Sequence, residues 1–398
     1  MPHFIPQKVF ADREKRVKEY LEEEGFEALI ITTPENFYMV SGFHLDVAPW
    51  ERPVAAVIPT DGDPFLIMNE LSTNHLKFAE ERKTLYIKDY EIYIEHPRAY
   101  PRTYTVEQWG RLLAEKLRSR GIEGGFFAVE GGGPKPLKAE MENVEFVDVT
   151  NFLKKMRMVK YPEELEILRL CAEITDHAQD RYMEMVKPGL NVQAFDFEIA
   201  KIMSEEAAKR FPEDRWEGRV RSSSGKYSAA PHGSGAYVAE KFEKGDGVVN
   251  IIIGRLNGLV VENERTLFVG DPRHEDQIKA YEAATEANEA AIAEMVAGNT
   301  VANADAAAQQ VIEKAGFGDN INHRTGHGIG IAGHEYPEDM AFLYRPFWEN
   351  EVYSSEPGIY LPGIGGFRQD DTVIVGKKKP EVVTKRSKKL KDQIAKNF

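Results

Sequence analysis

The 398-residue sequence predicts two domains, a smaller α/β domain followed by a larger α+β one. Its length exceeds what one hydrophobic core usually serves. Up to residue 155, helical and strand-like patterns alternate, the signature of an α/β unit. From residue 156 a pair of helical patterns precedes strand-like segments, and that order occurs twice.

In the first domain, residues 11–26 read as an amphipathic helix ending at Gly25, and EALIITT follows as a buried strand, residues 28–33. VAAVIPTDGDPFLIM reads as a hairpin turning at Asp61-Gly62. Residues 105–120 give another helix, closed at Gly121, and GGFFAVE another strand. The second domain opens at Pro162, where a proline gives up a donor that would be idle in a first helical turn. Glu163 and Glu164 suit the positive end of the same helix. That helix is expected to run to about Met185, and a second from about Val192 to Lys209. VVNIIIGRLNGLVVENERTLFVG alternates around a glycine-containing turn, and helices at about 274–296 and 302–315 come before Asn322.

Composition excludes several classes. With 42% hydrophobic and 29% charged residues, the chain is neither disordered nor of low complexity. A net charge of −14 argues against nucleic acid, whose phosphates need a basic face. The single cysteine, Cys171, lies in an apolar helix stripe with Leu165, Ile167, Leu168 and Ile174, which suits packing and a reducing compartment. MPHFIPQKVFADREKR lacks the apolar core of a signal peptide, and no apolar run reaches the roughly 18 residues of a membrane span. A soluble cytoplasmic protein is expected. The basic segment KKKPEVVTKRSKKLKDQIAK reads as a solvated tail or frayed helix.

The chemistry concentrates in a few motifs. NHRTGHGIGIAGHE sets His327 and His334 seven residues apart, among glycines that let the backbone bring an imidazole close to a ligand. APHGSG carries His232, GLVVENERTLF carries Glu262 and Glu264, SSEPGIY carries Glu356, and GGFRQDD carries Asp370 and Asp371. Histidines and carboxylates in this number point to one hydrolytic pocket assembled by folding. Imidazole titrates near neutrality, so His232, on a loop, can take a proton from water and return it to a leaving nitrogen. Glu264 and Glu356 sit beside apolar residues, where a lone carboxylate is costly, so a cationic partner is expected for each. Glu262 and Glu264 share a strand face. His327 reads as a metal ligand or a donor to substrate, and His334 as a group that polarises a carbonyl. Asp370 is expected in the pocket, with Asp371 turned away and paired to a neighbour, Arg368 being its expected partner.

These motifs, in this order and over nearly the whole chain, resemble the creatinase/prolidase/methionine aminopeptidase superfamily. The resemblance implies a pita-bread catalytic domain, residues 156–398, behind a creatinase/prolidase-type N-terminal domain, residues 1–155. Metallopeptidases of that superfamily hold two divalent ions with two aspartates, a histidine and two glutamates. The matching positions here are Glu262 for the second aspartate, His327, Glu356, and Asp370 for the second glutamate. The first aspartate falls on Ile251, which has no donor atom, and its neighbour Asn250 points to the opposite strand face. Two hard cations need shared carboxylates, so the loss favours a metal-independent enzyme with no cofactor, similar to creatinase and ectoine hydrolase. Such an enzyme would hydrolyse a C–N bond in a small polar nitrogenous compound, a guanidino acid or a cyclic amidine such as ectoine. In it His232 would activate water, Glu264 and Glu356 would hold cationic nitrogens, and His327 and His334 would stabilise developing charge. Glu262 and Asp370 would line the pocket, and Trp50 and Arg52, in APWERPVAAV, would reach the substrate in the partner's pocket of a homodimer. The alternative implied is a metal-dependent Xaa-Pro dipeptidase or aminopeptidase, or a metal-assisted lyase of the same fold. It would place Glu262, His327, Glu356 and Asp370 around manganese, iron, cobalt or zinc. Neither reading calls for nucleic acid or a membrane.

Overall fold

The computed structural model describes residues 3–45, 50–95, 105–232, 235–336 and 339–398. It divides into two units, Phe4–Arg157 and Met158–Phe398, with His3 grouped in the second.

The first unit begins with α1 (Gln7–Glu24), which Gly25 ends at φ 73°, donating its N–H to the Leu21 carbonyl. The helix starts earlier than its periodicity suggests because Pro6, in extended conformation, takes the cap position. After it come β1 (Ala28–Ile31), α2 (Pro34–Ser41), β2 (Ala55–Pro59), β3 (Phe65–Asn69), α3 (Thr73–Glu81) and β4 (Tyr90–Tyr93). The unit closes with α4 (Thr105–Arg118), β5 (Gly125–Val129), α5 (Lys135–Glu140), β6 (Val144–Asp148) and α6 (Thr150–Met158). Its six strands form one sheet in the order β4-β3-β2-β1-β5-β6. The β2–β3 hairpin turns at Asp61-Gly62, with Gly62 at φ 93°. Strands such as ALII and AAVIP are buried along their whole length, as expected for a sheet covered on both faces.

The second unit opens with α7 (Pro162–Met185), whose first turn is tied by the Glu164 carboxylate accepting the Tyr161 N–H at 3.0 Å. Next are α8 (Val192–Arg210), β7 (Trp216–Ser224), β8 (Gly247–Leu256), β9 (Leu259–Val269), α9 (Glu275–Glu294) and α10 (Val301–Lys314). The strands β10 (Gly326–Gly328), β11 (Val352–Ser355), β12 (Gly358–Leu361), β13 (Gly365–Arg368), β14 (Asp370–Ile374), β15 (Glu381–Val382) and β16 (Ile394–Ala395) complete it. The main sheet runs β10-β11-β14-β9-β8-β7, and β12 pairs with β13. Asn257 and Gly258, both at positive φ (45° and 86°), make the two-residue β8–β9 turn, whose twist suits a hairpin. Alanines of α9 and α10, among them Ala284, Ala287, Ala304 and Ala308, pack in one core with Tyr353 and Phe367.

Cys171 is fully buried against the backbone of Gly254, and burial pushes its thiol up to about 12, so it packs. The basic C-terminal segment is not the solvated tail expected of it. β15 pairs with β14, β16 runs parallel to β9, and Lys388 and Arg386 reach Asp371 and Asp180 at 2.7 Å each. Its short apolar stretches complete sheet edges, and its charges find buried or nearby acids.

Candidate metal centre

The β8–β9 ladder sets the frame. Its register places Ile253 opposite Glu262 and Ile251 opposite Glu264, so each acid shares a sheet face with the isoleucine across from it. On the other side of β9, Asp370 lies opposite Glu264, while Asp371 lies opposite Asn263. His327 comes from β10, paired with Ser354 of β11, and Glu356 follows β11 directly. Four strands therefore deliver His327, Glu356, Asp370, Glu262 and Glu264 to one place.

The glycines around His327 permit close approach. A Cβ at Gly326 would meet the Ser354 carbonyl oxygen at 2.0 Å, and one at Gly330 would meet Glu335 Oε2 at 2.6 Å. Glu335 bridges back to Gly328 and pairs with the buried Lys160 at 3.4 Å, which doubles the chain over. The imidazole of His334 comes to rest on that of His327, centroids 3.7 Å apart and planes 14° from parallel.

His327 donates from Nδ1 to the Gly328 carbonyl at 3.0 Å, which directs Nε2 at Glu356 Oε1 (3.4 Å) and Glu262 Oε2 (3.5 Å). Burial disfavours its charge, but those two acids outweigh burial and raise its pKa. His334 accepts at Nδ1 from Arg324, so its proton sits on Nε2. Partial burial and the His327 imidazole hold His334 down to about 4, leaving it neutral.

The acids differ. Burial first, with Glu356 and Glu264 nearby, raises Glu262 to about 8. Burial raises Glu264 to about 7 against the pull of Arg368. Asp370 is raised by burial and by the three neighbouring glutamates. For Glu356 burial works upward too, but the His327 hydrogen bond and Arg368 prevail and hold it at about 2.

Arg368 is the resident cation of the pocket. Its Nε pairs with Glu264 Oε2, and Nη1 lies 3.8 Å from Glu356 Oε2 and 3.3 Å from both the Tyr360 hydroxyl and the Pro231 carbonyl. Arg368 is therefore not the partner of Asp371, as the sequence suggested. Asp371 sits on the other face, where Arg265, Lys388 and Thr384 hold it at 2.7–2.8 Å. Through Pro231, Arg368 fastens the loop that carries His232, which is itself exposed. His323, Tyr360 and Arg368 belong to the pocket although the sequence singled out none of the three for it. His323 stands inside the glycine-rich run, four residues before His327, and was the legible signal.

Two sets of potential donors stand out among the described residues, Glu262/His327/His334 and Glu264/Glu356/Asp370, each within 4.8 Å. Asp370 Oδ2 is buried without a hydrogen-bond partner. Imidazole and carboxylate donors crowded in this way suit a first-row divalent ion, and unpaired buried acceptors are costly without one. The residues fit a metal.

Trp50 and Arg52 lie in the other unit. Trp50 is 84% exposed and Arg52 pairs with Glu95 at 3.1 Å and with Glu51. Neighbouring positions 46–49 lie outside the described residues.

Comparison with known proteins gives the class. Residues 166–377, more than half of the chain, match the model of Metallopeptidase family M24, and residues 13–159 match the Creatinase/Prolidase N-terminal domain. The chain belongs to Metallopeptidase family M24, and its fold is the pita-bread fold behind that N-terminal domain. It is 26% identical over 387 residues to a Xaa-Pro dipeptidase of Pyrococcus horikoshii, covering 96% of this chain and 99% of that one. It is 27% identical to a Xaa-Pro dipeptidase of Lactobacillus helveticus, over 94% of this chain and 97% of the relative. The crystal structure of dipeptidase PepE from Mycobacterium ulcerans superposes with a TM-score of 0.79 at 28% identity, covering 97% and 98% of the two chains.

These findings correct two expectations. The metal-independent, creatinase-like hydrolase gives way to the metal-dependent peptidase alternative, since the relatives are Xaa-Pro dipeptidases of a metallopeptidase family. The absence of a metal cofactor falls with it, because the pocket gathers the donors a divalent ion needs. The physical reason lies at Ile251. Its missing oxygen was weighed alone, whereas the strand register sets the carboxylate of Glu264 directly opposite.

Proposed function

We propose that the chain is a metal-dependent dipeptidase acting on small Xaa-Pro dipeptides, with Glu262, His327, Glu356 and Asp370 as metal ligands. One observation carries this reading: imidazole and carboxylate atoms gather within 4.8 Å in each of the sets Glu262/His327/His334 and Glu264/Glu356/Asp370, and Asp370 Oδ2 among them is buried and unpartnered. The names borne by relatives that match nearly end to end support the substrate class.

When bound, a divalent ion supplies Lewis acidity at the scissile carbonyl. The protein groups account for the rest. His334, neutral and protonated at Nε2, is a donor for the oxygen of a tetrahedral intermediate. His232, exposed on its loop, serves to exchange a proton with the attacking water and the leaving nitrogen. Arg368 keeps that loop in place through Pro231 while neutralising part of the acid cluster. The same proposal takes the protein as a homodimer, in which a second copy covers the exposed Trp50 and Arg52 serves the substrate carboxylate. Hydrolysis of Gly-Pro that disappears on chelation and returns with manganese is the expected result. Unchanged turnover after exhaustive chelation refutes the reading.

A further inference from the structure

Glu264 has no place among the ligands named so far, yet it sits in the middle of them. On β9 it faces Asp370 of β14 on one side and Ile251 of β8 on the other, so three side chains line up across three adjacent strands on one sheet face. Ile251 is half-buried and brings only hydrocarbon to that row. Glu264 is buried, and its carboxylate falls within 4.8 Å of donor atoms on Glu356 and Asp370. Arg368 engages its Oε2.

We propose that Glu264 is a metal ligand, supplying from β9 the carboxylate that Ile251 cannot supply from β8, and that it completes a second cation site with Glu356 and Asp370. The first site is the one around Glu262 and His327 on which the dipeptidase reading rests. Arg368 holds one oxygen of Glu264 and so fixes the direction of the other. The carboxylate has changed strands, but the ladder returns it to the same face of the sheet.

The test is metal stoichiometry and affinity, independent of turnover. Chelator-stripped protein is titrated with manganese, read by calorimetry, elemental analysis and the spin coupling of neighbouring Mn(II) ions in electron paramagnetic resonance. Wild type is expected to take two ions per chain with a coupled signal. Glu264→Gln, nearly isosteric, should take one and lose the coupling, with second-site affinity down at least 100-fold. Glu264→Asp, a milder change should Gln not fold, should keep two ions with the second held more weakly. Ile251→Asp placed on Glu264→Gln should restore the second ion. Wild type that saturates at one ion, or Glu264→Gln that keeps two with unchanged affinity, overturns the assignment while leaving the dipeptidase reading intact. Wild type that takes no ion sinks both.

Discussion

The Tyr360 hydroxyl donates to Nε2 of His323 at 2.6 Å and accepts from Arg368 Nη1 at 3.3 Å. His323 gives its other ring proton to the Arg324 carbonyl at 2.7 Å, so its Nε2 can only accept. Burial lowers the pKa of His323, which keeps it in that neutral form, and raises that of Tyr360. The relay couples the irregular segment before β10 to the arginine that pairs with Glu264 and Glu356. Tyr360→Phe should leave two buried partners short and cost about 1–3 kcal/mol in urea unfolding.

His232 should matter for rate and not for metal. His232→Ala is expected to lower turnover of Gly-Pro by about 10²–10⁴-fold, the usual range for a general acid–base group. Manganese affinity should stay as in wild type. A variant with full turnover would remove His232 from the chemistry.

Arg265 and Asp371 form a fully buried ion pair at 2.7 Å. Arg265 also donates to the carbonyls of Glu264 and Asp370, at 2.8 and 2.7 Å, and thus holds the backbone beneath two of the acids. Arg265→Met leaves Asp371 with Lys388 and Thr384 alone, and should cost about 3–5 kcal/mol in urea unfolding. A loss below about 1 kcal/mol would mean that the remaining partners suffice.

Asp196 gives a pH dependence remote from the site. Burial lifts its pKa to about 6, although Ser222 donates to it from both N and Oγ, at 2.7 and 2.6 Å. The folded state therefore holds this proton more tightly than the unfolded chain, so the contribution of Asp196 to stability is fully present below about pH 4 and is lost as pH rises through about 6. The loss from this group amounts to roughly 3 kcal/mol. Asp196→Asn should flatten that part of the stability–pH curve, measured by urea unfolding between pH 4 and about 7. A curve as steep as wild type would assign the slope elsewhere.

Much of the fold was legible because local signals agreed with tertiary needs. Pro162 with Glu163 and Glu164 marks the start of α7, and Asn257-Gly258 marks the turn of the central hairpin. The basic C-terminal segment was misjudged because β15 and β16 are only two residues each and exist through partners far off in sequence. At the site, His327, Glu356, Asp370 and Glu262 were legible as motif members. Which cation serves which acid was not, since Arg368, Arg265 and Lys388 stand within reach of the same acids in sequence and only strand register sorts them. The register that sets Glu264 opposite Ile251 was equally illegible.

The sheet order has a further meaning for assembly. Glu262 and Asp370 are more than a hundred residues apart in the chain, and their strands become neighbours only when β14 docks beside β9. No shorter stretch of the polypeptide brings the full donor set together, so on the dipeptidase reading proposed above a cation added during refolding binds only after these long-range pairings exist.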